Sequence, residues 1–304
     1  MFKKRMKGLV IACITPMKEN GSIDEEGVAN FAEFLIKAGV NCLYPNGTNG
    51  ESLLLEVEEQ KRIAEIMVKT SNGRVPVFIQ CGAISTEKAR QNALNSVEIG
   101  ADGIGIMTPA FFPMDDESLF RYYKEIVSKV PADFPVYIYN IPGCTTNDVK
   151  PALLNRLLNE FPNIMGIKFS KPDLLRAQDY LEKSDRRPDV LIGCDSLFLQ
   201  CLSIGGVGTV TGPGGVFHER FTRLYRQFND GDFKGAMETQ RQIVKTDREL
   251  EGIPPFSALK TLLKMRGAIK CDKCREPLRS LTKDEVKKLE KILNDYYKEE
   301  NING

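Results

Sequence analysis

The chain has 304 residues, with 42 Lys and Arg against 41 Asp and Glu, one histidine and 42% hydrophobic side chains. A net charge of +1 excludes the basic footprint of a nucleic-acid-binding or membrane-surface protein. No apolar run approaches the roughly 20 residues that span a bilayer, and the length suits a (β/α)8 barrel with an extension.

The basic start, Met1 to Lys7, precedes the apolar run Gly8-Leu9-Val10-Ile11-Ala12-Cys13-Ile14. That run is at the short limit for a signal peptide, and Thr15-Pro16-Met17 follows it where a small-residue cleavage site would stand. It reads as a first strand over Leu9–Thr15, in a cytoplasmic protein. Further apolar, β-branched runs predict strands at Asn41–Tyr44, Val75–Cys81, Gly103–Met107, Pro135–Tyr139, Met165–Phe169, Val190–Cys194 and Gly208–Thr211. Segments of helical periodicity lie between them. Ile63, Ile66 and Met67 fall at helical spacing in Val57–Val68. Leu119, Tyr122, Tyr123, Ile126 and Val127 do so after the acidic start Asp115-Asp116-Glu117. Eight strands alternating with helices, in units of about 30 residues, predict a parallel sheet closed into an α/β (β/α)8 TIM barrel. After about Phe228 the strands stop, and Gly231–Glu251, Pro255–Gly267 and Thr282–Glu299 predict extra helices. The expected division is a catalytic barrel over 1–228 and a C-terminal helical extension over 229–304.

Of the 8 cysteines, Cys13, Cys42, Cys81, Cys194 and Cys201 lie in apolar runs, as small buried hydrophobes do. Cys271 and Cys274 form one Cys-x-x-Cys. A structural zinc site needs a second such pair or histidines, and the single histidine is His218, so no metal is expected.

Barrel chemistry lies at the C-terminal ends of the strands, and three ends stand out. After the second strand comes Asn46-Gly47-Thr48-Asn49-Gly50-Glu51, whose glycines would let backbone N–H groups converge on an anion; an ordinary glycine turn is the plain alternative. The fifth strand ends Tyr137-Ile138-Tyr139-Asn140-Ile141-Pro142. Tyr137 and Tyr139 share a face, and Tyr139 is placed either to transfer a proton or to pack with its hydroxyl satisfied. The sixth strand, Ile164-Met165-Gly166-Ile167-Lys168-Phe169-Ser170, carries a lysine in an apolar run. A strand-end lysine snorkels to water, or else loses hydration and becomes a neutral amine able to form a Schiff base with a carbonyl. Lysine and tyrosine on consecutive strand ends, opposite an anion-binding loop, suit α-keto acid chemistry.

In order and spacing, Gly47-Thr48-Asn49-Gly50-Glu51, Tyr139-Asn140-Ile141-Pro142 and Gly166-Ile167-Lys168 resemble the dihydrodipicolinate synthase / N-acetylneuraminate lyase family of pyruvate-dependent class I aldolases. The likeness runs from Leu9 through Met107-Thr108-Pro109 to the C-terminal helices. It implies that Lys168 forms the Schiff base with pyruvate, that Tyr139 moves the proton near the new C–C bond, and that Thr48 and Asn49 hold the keto-acid carboxylate. Gly208 matches the position whose backbone faces bound pyruvate. The resemblance also implies a homotetramer with no metal or organic cofactor.

Four departures from the family pattern bear on the substrate. Where dihydrodipicolinate synthases carry an arginine for the carboxylate of aspartate semialdehyde, this chain has Cys144, which lacks the two-pronged donor set. Where they place a relay tyrosine from the neighbouring subunit, it has Phe111. Asn49 replaces the second threonine of the usual glycine loop. Ser170, Asp195 and Thr209 fall where sialic acid lyases bind a polyhydroxylated aldehyde, although Ser196 replaces the acidic residue expected after Asp195. The pattern fits cleavage or formation of a 2-keto-3-deoxy sugar acid from pyruvate and a small aldehyde. Dihydrodipicolinate synthesis, N-acetylneuraminate cleavage and a non-catalytic keto-acid-binding member are the alternatives within the family. A phosphate-handling barrel, suggested by Gly205-Gly206-Val207-Gly208 and Gly212-Pro213-Gly214-Gly215, is the alternative outside it.

Overall fold

The computed structural model describes residues 4–301. Eight strand–helix units follow one another: β1 (Gly8–Ala12) and α1 (Glu25–Lys37), β2 (Cys42–Tyr44) and α2 (Val57–Ser71), β3 (Phe78–Gln80) and α3 (Thr86–Glu98), β4 (Gly103–Met107) and α4 (Asp116–Val127). Then come β5 (Val136–Asn140) with a single turn α5 (Pro142–Thr145) and α6 (Pro151–Glu160), and β6 (Ile164–Phe169) with α7 (Leu174–Glu182). The last two are β7 (Asp189–Ile192) with α8 (Phe198–Ser203), and β8 (Gly208–Thr211) with α9 (His218–Asn229). Three further helices, α10 (Phe233–Leu250), α11 (Pro255–Met265) and α12 (Lys283–Glu300), complete the chain.

The strands run parallel in the order β2-β1-β8-β7-β6-β5-β4-β3, and a parallel bridge from Leu43 to Val77 joins the two edges. The sheet is therefore the expected (β/α)8 barrel. Strand alternation separates two apolar layers. Leu9, Ile11, Leu43, Ile79, Ile104, Ile106, Ile138 and Ile167 face the helices, whereas Val10, Tyr44, Phe78, Tyr137, Leu191 and Val210 fill the barrel interior. Gly105 makes room for one of these: a Cβ there would lie 2.0 Å from the Tyr44 hydroxyl oxygen.

Helix starts follow their caps. The side chains of Asp24, Ser85, Asp115, Asp173 and Asp232 each accept a hydrogen bond from an N–H in the first turn, and Thr282 with Glu285 forms a capping box. The Asp232 cap moves the start of α10 two residues beyond the expected Gly231. Four strands, β1, β2, β3 and β7, are shorter than their apolar runs, β1 and β3 the most. β3 begins only at Phe78, because Pro76 has no N–H for the ladder; its carbonyl instead accepts from the Leu43 N–H at 2.9 Å. β1 ends at Ala12, since Thr15 turns its hydroxyl to the Gly50 carbonyl at 2.8 Å.

The C-terminal helices are tied to the barrel by charge. Buried Arg220 of α9 meets Glu299 at 2.6 Å and Glu300 at 2.8 Å, both on α12. Lys260 of α11 and Glu51, each fully buried, form an ion pair of 2.5 Å beneath the glycine loop. Among the described residues no helix is long and apolar enough to cross a membrane.

Candidate active site

The β5–β6 register sets Tyr139 beside Lys168, both buried and facing inward. Lys168 is 3% exposed, and its ammonium nitrogen has no hydrogen-bond or ion-pair partner among the described residues. Nζ lies 3.7 Å from the centroid of the Tyr139 ring and 5.0 Å from that of Tyr44. Burial pushes the Lys168 amine down to about 7, opposed by attraction to Asp195. A substantial fraction of this lysine is therefore neutral, and nucleophilic, near pH 7.

The Tyr139 hydroxyl is 3.0 Å from Thr48 Oγ1. Burial raises the phenol to about 12, with hydrogen bonding to Thr48 and then Ser170 acting against it. Thr48 lies in the loop after β2, whose shape does not come from glycine conformational freedom. The left-handed positions are Asn46 (φ 60°) and Glu51 (φ 59°), which correct the expected use of Gly47 and Gly50. Gly50 is small for a different reason, because a Cβ there would stand 3.1 Å from the Cys13 carbonyl. The Gly47 carbonyl accepts from the Gly50 N–H, and the Thr48 carbonyl from that of Glu51. The N–H groups of Thr48 and Asn49 have no partner among the described residues. Two adjacent free N–H groups are the arrangement that receives a carboxylate.

A cavity of about 520 Å³ opens at the C-terminal end of the barrel. Thr48, Asn49, Tyr139, Lys168, Ser170 and Asp195 all line it, so the structure brings together six of the residues singled out in the sequence. Three others lie elsewhere. Gly47 is buried in its loop, outside the lining. Gly208 packs against β1, where a Cβ would meet the Gly8 carbonyl oxygen at 2.3 Å; this close approach explains the glycine. Thr209 is a correction. It faces away from the barrel interior, is fully buried, and donates its hydroxyl to the Ile192 carbonyl at 2.9 Å. Thr211, where β8 ends, is the threonine at the cavity, and its hydroxyl donates to Asp195 Oδ2 at 2.8 Å.

Other lining residues carried no distinctive sequence signal. Asp247 of α10, with Pro255 and Phe256 at the start of α11, walls the cavity from the C-terminal helices. Asp247 sits in Lys245-Thr246-Asp247-Arg248-Glu249, which reads as a solvated helix face. A smaller, mainly apolar cavity of about 160 Å³ adjoins this one at Thr48 and Phe256, and Cys144 lines it. All eight cysteines are free thiols. Cys271 accepts from the Lys273 N–H and Cys274 lies 3.6 Å from Ser257 Oγ. Among the described residues no three His, Cys, Asp or Glu side chains gather as metal ligands do.

The sequence profile of the Dihydrodipicolinate synthetase family matches residues 5–296. The chain is 34% identical to a 4-hydroxy-tetrahydrodipicolinate synthase of Bartonella bacilliformis, over 93% of this chain and 95% of that protein. The crystal structure of dihydrodipicolinate synthase from Aquifex aeolicus is similar at a TM-score of 0.90 and 30% identity, covering 96% of this chain and 98% of the other. YagE of E. coli K12, a prophage protein of the dihydrodipicolinic acid synthase family solved with pyruvate, is similar at a TM-score of 0.91 and 25% identity, with the same coverage. With its barrel, its linked motifs and these relatives, the chain belongs to the Dihydrodipicolinate synthetase family, a family of carbon–carbon lyases.

Proposed function

We propose that this protein is a Schiff-base class I aldolase that interconverts a 2-keto-3-deoxy sugar acid with pyruvate and a small aldehyde. The observation that carries this reading is the Lys168 amine, buried, unpaired and shifted to about 7, at the face of a tyrosine whose hydroxyl reaches Thr48. Neutral Lys168 adds to the keto carbon, and loss of water leaves an iminium. The N–H groups of Thr48 and Asn49 hold the adjoining carboxylate. The bond between C3 and C4 breaks with its electrons flowing into the iminium, which becomes an enamine. Tyr139 takes the proton from the C4 hydroxyl, which becomes the aldehyde, while its own proton moves to the Thr48 hydroxyl. That hydroxyl's proton passes to water in the open cavity, the source for the later protonation at C3. A phenol held near 12 is rarely ionised at neutral pH, so this transfer needs the relay. Protonation at C3 and hydrolysis release pyruvate and free Lys168.

The pyruvate complex of YagE supports the keto-acid half of this reading. The cavity lining supports the aldehyde half, since Ser170, Asp195, Ser196 and Thr211 offer partners for hydroxyls. A second reading, dihydrodipicolinate synthesis, is favoured by the names of the relatives. It lacks a cationic partner for the second carboxylate, because no arginine is among the cavity-lining residues. A homotetramer, as the family resemblance implies, and a cytoplasmic setting suited to eight free thiols complete the proposal. Borohydride with pyruvate is expected to add one pyruvate-derived mass to the peptide carrying Lys168, and Lys168→Ala to abolish the addition. Labelling at another residue, or at none, would remove the central claim.

A further inference from the structure

Helix α10 brings a second carboxylate to the cavity. Gln240 and Asp247 are seven residues apart on it, two turns, and therefore share a face. Gln240 Nε2 donates to the Asp195 carbonyl at 3.0 Å, and its Oε1 accepts from the Leu199 N–H at 2.8 Å. This one side chain clamps the turn that bears Asp195 onto α10, and so fixes where Asp247 stands relative to it. Both aspartates line the cavity. Asp195 uses Oδ2 for the Thr211 hydroxyl, and the Asp247 carboxylate has no hydrogen-bond or ion-pair partner among the described residues. Burial raises both carboxyls, and repulsion from Asp195 raises that of Asp247 further.

A second observation points to a ligand in the same cavity. The unpartnered amine of Lys168, 3% exposed, opens into it and is the single cationic side chain of the lining. Once joined to the keto carbon as an iminium, that cation is held at the keto end of the substrate and is not available to pair with a charge at the far end. A substrate fixed at one end by Lys168 and the Thr48–Asn49 N–H groups then meets two carboxylates with its other end. With both carboxyls raised, the pair holds a proton at neutral pH, so it can accept from and donate to a chain of hydroxyls. A terminal anion would find like charge in a desolvated setting.

We propose that Asp195 and Asp247 form a subsite that binds the hydroxylated, uncharged end of the substrate and excludes ends bearing phosphate or a second carboxylate, with Asp247 setting that choice. The position of the substrate's far end rests on the aldolase reading above.

The test separates the two claims. Six-carbon 3-deoxyaldonic acid, whose reduced C2 forms no imine, and its terminal phosphate ester are titrated calorimetrically into the full-length protein. The uncharged-end ligand is expected to bind at least about tenfold more tightly. Asp247→Asn should shrink that preference at least about fivefold, and Asp247→Glu should restore most of it. Equal binding of the two acids, no binding of either, or a preference indifferent to Asp247→Asn would each overturn the subsite. Cleavage of the corresponding 2-keto acid is assayed separately. Preference without cleavage keeps the subsite and removes the aldolase reading, and cleavage without preference does the reverse.

Discussion

Lys168 and Tyr139 are register partners on adjacent strands, and the Lys168 nitrogen meets the face of the Tyr139 ring at 3.7 Å. The phenol oxygen is left free for Thr48 and for substrate. The ring face attracts a cation, so on the proposed mechanism it would favour the charge that develops as the amine becomes an iminium. Burial disfavours the free ammonium beforehand. The two effects act at different stages of the reaction, so they do not cancel.

The first expectation concerns pH. If Lys168 forms the Schiff base as proposed, it reacts as the neutral amine, so the rate of borohydride trapping with pyruvate should rise with pH and level off above about 7. Below that value it should fall by about tenfold per unit, as the ammonium fraction grows. Trapping rates measured from pH 5 to 10 decide the point. A rate still climbing toward the ordinary lysine value of 10.5 would show a hydrated Lys168.

Tyr139→Phe removes one oxygen and leaves the ring under Lys168. Trapping should persist while turnover falls by roughly 10²–10⁴, the scale of a lost general acid–base group. Steady-state kinetics beside a trapping assay separate these effects. Unchanged turnover would assign Tyr139 to packing.

The buried Lys260–Glu51 pair ties the loop bearing Thr48 to α11, and Glu51 Oε2 also accepts from the Arg275 N–H at 2.7 Å. Lys260→Met strands a buried carboxylate and should cost about 3–5 kcal/mol in chemical denaturation. The double change Lys260→Met with Glu51→Gln should recover most of that loss. A single substitution costing under about 1 kcal/mol would place the pair in contact with water.

Substrate choice should go against dihydrodipicolinate synthesis. Cys144 lines the smaller cavity beside Thr48, and exposed Phe111 has no hydroxyl. Cleavage of a 2-keto-3-deoxy sugar acid should exceed condensation of pyruvate with aspartate semialdehyde by at least about tenfold in kcat/KM, roughly 1.4 kcal/mol. Cys144→Arg with Phe111→Tyr should improve the condensation more than either change alone, because both groups would act on one bound substrate. Efficient condensation by the unmodified protein would reverse this choice and leave the Lys168 assignment standing.

The sequence by itself determined the barrel and singled out the pair, Tyr139 and Lys168, that the structure sets side by side in one cavity. Continuous apolar strands alternating with amphipathic helices have few other ways to bury both sheet faces. Period-two alternation put Tyr137 and Tyr139 on one face before any partner strand was known. Lys168 stood out because a charge inside an apolar strand is locally anomalous.

Tertiary structure decided what depends on distance across the chain. Thr209 and Thr211 are two residues apart on one strand, and only the turn carrying Asp195, curling over the end of β8, makes Thr211 the one at the cavity. The left-handed residues of the loop after β2 proved to be Asn46 and Glu51, because the loop is held from outside, by Gln60 on the Asn46 carboxamide and by Lys260 on Glu51. Asp247 is one acidic residue among several on a charged helix, with nothing in its neighbours to mark it. It reaches the cavity because Gln240, two turns earlier, binds the Asp195 turn, a contact across 45 residues that no local pattern encodes.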